Sequence, residues 1–193
     1  MYIVVEGIDT CGKSTQIELL ERAFPQAIIT KEPGATELGS KIRELVLYSE
    51  DLCPVTELLL FLADRSNHAS SVIKPNLGHL IISDRSLISG MAYALASEKF
   101  EFDWLKRLNR FAMQEIMPDL IILFNIKEET LRARLGEKNH DIIEQRGIEY
   151  MLNVQKQLGF VAKDLKIPTL MINAEESIET IHTRIDNYIK GNI

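Results

Sequence analysis

The sequence predicts an α/β fold, a five-stranded parallel sheet with helices on both faces. Three observations carry this. Five short runs are apolar throughout and rich in Ile, Val and Leu, as strands buried on both faces require. Longer segments of helical period lie between them. The two kinds alternate along residues 1–193 without repeats, low-complexity tracts or a linker, so one domain is expected.

The elements follow in order. Tyr2–Glu6 (YIVVE) is the first strand. Lys13–Phe24 is a helix with Ile17, Leu20 and Phe24 on one face. Ala27–Thr30 is the second strand. The helix Glu37–Tyr48 gathers Leu38, Ile42, Leu45 and Val46. Pro54–Ile73 reads as a long helix with Pro in its first turn. Leu58–Leu62 within it is too apolar all round for a helix with one wet face, so a homodimer packed through this helix is expected. His79–Ser83 is the third strand, followed by helices over Ser86–Ser97 and Phe102–Met117. Leu120–Phe124 is the fourth strand, before helices over Glu128–Leu135 and Gly147–Leu165. Thr169–Ile172 is the fifth strand and Ser177–Lys190 the last helix. In such sheets, ligands bind at the carboxyl ends of the strands, where the connectivity reverses.

Of the 193 residues, 46% are hydrophobic and 26% charged, and the net charge is −6. That balance lacks the basic excess of a nucleic-acid or membrane-surface binder, so neither partner is expected. It leaves room for an anionic small ligand held by a local cluster of Lys and Arg. The apolar run Leu58–Ala63 falls far short of the ~20 residues of a membrane span. The start, MYIVVEGIDT, has no basic residue and meets Glu6 at once, unlike a secretory leader. Cys11 and Cys53 build no disulfide framework. A cytoplasmic protein is expected.

Gly7-Ile8-Asp9-Thr10-Cys11-Gly12-Lys13-Ser14, running on into Thr15, fits G-x-x-x-x-G-K-[ST] in full. It follows a strand and opens a helix, as its mechanism requires. The glycines let backbone N–H groups wrap closely around phosphates, and the helix aims its positive dipole end at them. ATP and Mg²⁺ are the expected ligands. Lys13 is placed to bridge the β- and γ-phosphates, and the Ser14 hydroxyl to ligate Mg²⁺. Cys11 serves the loop through its backbone. A switch GTPase would need a guanine-reading Asn-Lys-x-Asp. The nearest strings, Phe124-Asn125-Ile126-Lys127 and Lys138-Asn139-His140-Asp141, do not supply it. A small kinase fits best. A kinase for any of several nucleotides or nucleosides, or a P-loop ATPase without an acceptor, remains open on these residues.

A second cluster suggests an acceptor phosphate. Asp84-Arg85 follows the third strand at its carboxyl end, where the carboxylate can serve Mg²⁺ and the guanidinium a phosphate oxygen. Lys31-Glu32-Pro33-Gly34-Ala35-Thr36 follows the second strand as a turn, and Arg43 lies on the next helix. Phe61 and Arg65 are four apart on one helix face. They suit either a core ring beside a snorkelling guanidinium or a grip on a nucleobase.

With these residues in view, essentially the whole chain resembles the thymidylate kinase family. The resemblance rests on Glu6-Gly7-Ile8-Asp9 running into Gly12-Lys13-Ser14-Thr15-Gln16, and on Glu32-Pro33-Gly34 with Thr36. It rests equally on Phe61-Leu62-Ala63-Asp64-Arg65 with His68, Asp84-Arg85 with Ser89, Ala92 and Tyr93, and Asp141-Ile142-Ile143-Glu144 before Tyr150. It implies a P-loop nucleoside monophosphate kinase fold with a short lid at about residues 131–144, and a homodimer. It implies transfer of a phosphoryl group from ATP, with Mg²⁺, to dTMP.

Carried onto matching positions, the resemblance puts Asp9 at the deoxyribose 3′-hydroxyl and near the transferred group. Arg43 and Arg85 would clamp the dTMP phosphate beside Pro33. Phe61 would stack on thymine, Arg65 would donate to its O4, Gly90 would lie beside the base, and Tyr93 would lie against the sugar. Lys31, Ala35 and Ser86 depart from the usual Arg, Gly and aromatic residue at the edges of the site. Ile142 replaces a usual lid Arg, and Thr10 stands where some members carry a basic residue. Catalytic charge is then expected from Arg134, with Lys138 also at the ATP, both flanking Gly136. Arg132 is expected to face solvent.

Overall fold

The computed structural model describes residues 1–49, 52–135 and 147–192. Lys138, Ile142 and most of the expected lid lie outside these residues. The sheet has five strands in the order β2-β3-β1-β4-β5. They are β1 (Tyr2–Glu6), β2 (Ile28–Lys31), β3 (Ile81–Asp84), β4 (Leu120–Asn125) and β5 (Thr169–Asn173), and every pairing is parallel. The expected α/β sheet is therefore present, as are the helices that connect its strands. These are α1 (Lys13–Ala23), α2 (Glu37–Tyr48), α3 (Pro54–His68), α4 (Leu87–Ala96), α5 (Phe102–Ala112), α6 (Glu128–Leu135), α7 (Ile148–Leu165) and α8 (Ile178–Lys190).

The central strands are apolar because helices cover them on both faces. Ile3, Val4 and Val5 of β1, Ile82 of β3 and Ile121 and Ile122 of β4 are all fully buried. Each such side chain contributes about 1.5–3 kcal/mol by leaving water. A charge at Val4 would therefore break the core. The edge strands β2 and β5 are only partly buried, so the reading of all five as doubly covered holds for the central three.

Most strands and helices shift by one or two residues from the sequence reading, and three of the differences have a clear local cause. Asp84 belongs to β3 itself, because its backbone pairs in register with Val5 on one side and Lys31 on the other. α3 ends at His68 and continues as a single wider turn, Ala69–Ile73, with Ala69 and Ile73 buried. α5 stops at Ala112 rather than Met117, because Gln114 and Glu115 take positive φ, 51° and 63°, which no α-helix tolerates. Side-chain caps begin the helices nearest the strand ends. Thr36 accepts from the Gly39 amide at 2.9 Å and Ser86 from the Ile88 amide at 3.2 Å.

The connectivity reverses at β1, which lies between β3 and β4. The carboxyl end of β1 runs into the phosphate loop, beside the carboxyl end of β3 with its Asp84-Arg85. Both clusters expected to hold phosphate thus open on the same edge of the sheet.

Candidate active site

The phosphate loop leaves β1 at Gly7, with φ at 152°. A Cβ there would meet Cys11 Sγ at 2.7 Å and Phe124 Cβ at 2.9 Å, so only glycine lets the loop close against β4. Lys13 is buried, and its ammonium donates to the Ile8 carbonyl at 2.9 Å, drawing the side chain back over the loop. Ser14 and Thr15 stand exposed at the start of α1. Asp84 Oδ1 is buried with no hydrogen-bond partner among the described residues.

Asp9 and Arg85 join this loop to the neighbouring cleft. Arg85 Nη2 donates to Asp9 Oδ1 at 2.5 Å, and Nη1 donates to the Gly7 carbonyl at 3.0 Å and to Ser89 Oγ at 3.2 Å. Burial would push the Asp9 carboxyl up, but Arg85, Lys13 and Arg43 together hold it below the usual aspartate range. Asp9 is therefore a carboxylate at neutral pH. The Arg85 guanidinium also lies 5.4 Å from the centre of the Tyr93 ring.

Behind Arg85 stands Glu6, fully buried. It accepts from Ser86 Oγ at 2.6 Å and from Ser89 Oγ at 2.5 Å. Burial raises its pKa, and the two serine hydroxyls oppose that rise. Ser89 thus stands between Glu6 and Arg85 and ties the cation to the end of β1.

The turn after β2 supplies the far wall. Arg43 Nη1 donates to the Pro33 carbonyl at 3.0 Å, which folds the start of α2 over the turn. Glu32 is buried between two partners: Arg65 Nε donates to one oxygen and His68 Nδ1 pairs with the other, each at 2.9 Å. Desolvation would raise the Glu32 pKa, but Arg65 and then His68 carry it below the usual value.

Asp9, Pro33, Arg43, Phe61, Arg65, Arg85, Gly90 and Tyr93 all line one cleft of roughly 600 Å³, its open mouth included. Every residue assigned by sequence to the acceptor is therefore brought together. The cleft also includes Ser86, which the sequence reading put at the edge of the site, and Glu32, Leu47 and Ser89, to which it gave no role there. Their signal was present in part: Glu32 and Ser89 stand inside the motifs themselves. Arg134 lies in the last turn of α6 beside the phosphate loop, where it donates to the Thr10 carbonyl at 3.2 Å and the Ala174 carbonyl at 2.9 Å. Arg132 faces outward and pairs with Glu128.

Comparison with known proteins agrees with this architecture. A sequence model described as thymidylate kinase matches residues 5–185. A curated thymidylate kinase of Wolinella succinogenes is 52% identical over 96% of this chain and 96% of its own length. One from Sulfurovum is 50% identical over 98% of this chain and all of its own length. The crystal structure of thymidylate kinase from Ehrlichia chaffeensis superposes with a TM-score of 0.80 over 98% of each chain. At 24% identity, that likeness speaks for the fold. The phosphate loop, the adjoining cleft and these full-length matches lead to one conclusion: the chain belongs to the thymidylate kinase family.

Proposed function

We propose that the cleft takes dTMP as phosphoryl acceptor while the phosphate loop holds ATP. The reaction is the phosphorylation of dTMP to dTDP with ATP as donor, which supplies dTTP synthesis for DNA. One observation carries the assignment of sites. The cations Arg43 and Arg85 and the base-sized pair Phe61 and Arg65 line the same cleft as Asp9, a residue of the phosphate loop itself. An acceptor phosphate held by the two arginines would stand next to the donor.

The chemistry asks little covalent work of the protein. An oxygen of the dTMP phosphate bonds to the γ-phosphorus as the bond from that phosphorus to the bridging oxygen breaks, and ADP leaves. Lys13 neutralises charge on the transferring group from the donor side, and Arg85 from the acceptor side. Asp9 fixes Arg85 through their ion pair and offers its second oxygen to the sugar 3′-hydroxyl. Phe61 stacks on the base, Arg65 donates to O4, and Tyr93 crowds the sugar edge where a 2′-hydroxyl would stand. Arg134 adds positive charge near Thr10.

Mg²⁺ fits the residues present. The unpartnered oxygen of Asp84 and the open hydroxyl of Ser14 are the oxygen donors such an ion takes alongside phosphates and water. When bound it would offset phosphate charge, with Ser14 and Asp84 holding it or its water shell.

The assembly we propose is a homodimer through α3. Val55, Leu59 and Ala63 form an exposed stripe along that helix, with Val55 52% and Leu59 57% exposed. Leu38 and Leu45 of α2, which packs against α3, are likewise about half exposed. A second copy would cover this face. No helix among the described residues is long and apolar enough to cross a membrane. A cytoplasmic location accords with the free thiols of Cys11 and Cys53.

ADP release coupled to a colour change, with ATP and Mg²⁺ saturating, tests the reading. Release should depend on added dTMP. Equal release without any acceptor would make the protein an ATPase.

A further inference from the structure

We propose that Asn109, which touches neither cleft nor phosphate loop, is a positioning residue that sets base selectivity by fixing Arg65. The inference rests on the assignment of the cleft to dTMP.

An arginine side chain has five N–H groups in one rigid plane. In Arg65, three of them are already used. Nε donates to Glu32 Oε2 at 2.9 Å, Nη1 to Asn109 Oδ1 at 2.7 Å, and Nη2 to the Ser86 carbonyl at 3.1 Å. The acceptors come from the turn after β2, from α5 and from the start of α4, so the plane is held from three directions. One N–H remains on each terminal nitrogen. Arg65 itself is 2% exposed and still lines the cleft.

The fourth side is closed by Gly90. A Cβ at that position would meet Arg65 Nη2 at 2.6 Å and Nη1 at 2.7 Å. A free guanidinium would simply move aside. This one cannot do so without giving up one of its three acceptors. The bare Cα of Gly90 is thus part of the same fit.

Asn109 is fully buried on α5, and its orientation is fixed by its second bond. Nδ2 donates to the Leu105 carbonyl at 2.8 Å, which leaves Oδ1 to face Arg65. The reverse orientation would set two donors against each other. Glu32 is held in turn by His68 Nδ1, and His68 Nε2 meets Thr30 Oγ1 at 2.7 Å. The guanidinium therefore sits in a buried network that reaches back to β2.

Its consequence is selectivity. A donor facing O4 of thymine accepts a carbonyl and rejects the amino group of cytosine only if it cannot turn away. A mobile arginine would retreat from cytosine at small cost. A fixed one leaves donor against donor in a buried site, where the penalty is large. Asn109 makes Arg65 strict without touching the ligand.

The test compares kcat/KM for dTMP and dCMP, and KM for ATP, in the wild type, Asn109→Leu, Asn109→Ser and Asn109→Asp. Leu matches the volume and removes the acceptor. Ser is too short to reach and serves if Leu prevents folding. Asp keeps an acceptor in place. We expect the dTMP-to-dCMP ratio to fall by at least about fivefold in Asn109→Leu or Asn109→Ser, as expected from losing one buried hydrogen bond to a charged group. The ATP KM should stay within about twofold, and Asn109→Asp should retain the ratio, because only the acceptor matters to Arg65. A folded Leu or Ser variant with the wild-type ratio overturns the inference. So does an equal loss on both nucleotides with a raised ATP KM, which would mark a packing defect. A wild type with no preference for dTMP over dCMP overturns the reading of the cleft as well, and so separates the two failures.

Discussion

Asp9 Oδ1 and Arg85 Nη2 lie 2.5 Å apart although 76 residues separate them in the chain. Parallel pairing of β1 with β3 makes the two strand ends neighbours, and each residue sits just past its strand. Arg85 takes a left-handed φ of 67°, which costs a residue with a Cβ about 1–3 kcal/mol. Its amide bond to the Val5 carbonyl at 3.0 Å and its side-chain bonds to Gly7, Ser89 and Asp9 hold it there. The strain turns the guanidinium toward the phosphate loop. This one ion pair couples the phosphate loop to the adjoining cleft.

In the proposed reaction Lys13 is the donor-side cation. Lys13→Ala should fold and lose about 10²–10³ in kcat, the usual effect of removing one group from a preorganised charge-stabilising site. Steady-state kinetics with dTMP checks this. Wild-type turnover in the folded variant would take Lys13 out of the reaction.

Arg134 is tied to the Thr10 carbonyl, so its charge already stands beside the phosphate loop. Arg134→Ala should lower kcat and kcat/KM together by about tenfold or more, as loss of a charge acting in the transition state does. Arg132→Ala, on the exposed Glu128 pair, should change neither. A rise in the ATP KM alone would assign Arg134 to nucleotide binding.

Glu32 links acid stability to the Arg65 side of the cleft. Its folded pKa lies below the ordinary 4.5, so the stability it contributes is complete above that value and is lost as pH falls through the folded pKa. The wild-type Tm should therefore drop as pH falls below about 4.5, in part through this group. Glu32→Gln should melt lower at pH 7, because Arg65 loses its counter-charge, and should show a shallower fall below that pH. Parallel Tm curves for the two proteins would remove Glu32 from the acid transition.

Leu59 is the centre of the exposed stripe on α3. Sedimentation at micromolar concentration should give a dimer for the wild type and a monomer for Leu59→Glu, since a buried, unpaired charge at a self-complementary face is costly. A wild-type monomer would contradict the assembly.

Much of this molecule is readable before folding, and the reason is locality. The phosphate loop is eight consecutive residues whose spacing is set by the phosphates they wrap. The central strands are continuous apolar runs because two helical layers cover them. Glu128–Leu135 and Glu37–Tyr48 match the sequence reading residue for residue. The positions of Phe61, Arg43 and Tyr93 in one cleft are different. Each suits a bland reading alone, and it was the resemblance, with the order of the motifs, that grouped them.

What sequence could not supply is pairing over distance. Glu32 and Arg65 are 33 residues apart, and Arg65 and Asn109 are 44 apart. Nothing local says that they meet. Asn109 did leave a trace: it shares a helix face with Leu105 and Ala112, both buried, and a polar residue on such a face needs a partner. The end of α5 left none, since neither Gln114 nor Glu115 announces a positive φ as Gly or Asn would.

The central claim is that the acceptor cleft is built for thymidylate. The most direct measurement is kcat/KM for dTMP, dUMP, CMP and AMP with ATP and Mg²⁺ under one set of conditions. The account predicts dTMP ahead of CMP and AMP by about tenfold or more, since neither engages both the base and the sugar contacts; dUMP shares those contacts, lacks only the ring methyl group and should come second. Equal or higher kcat/KM for CMP or AMP would contradict it.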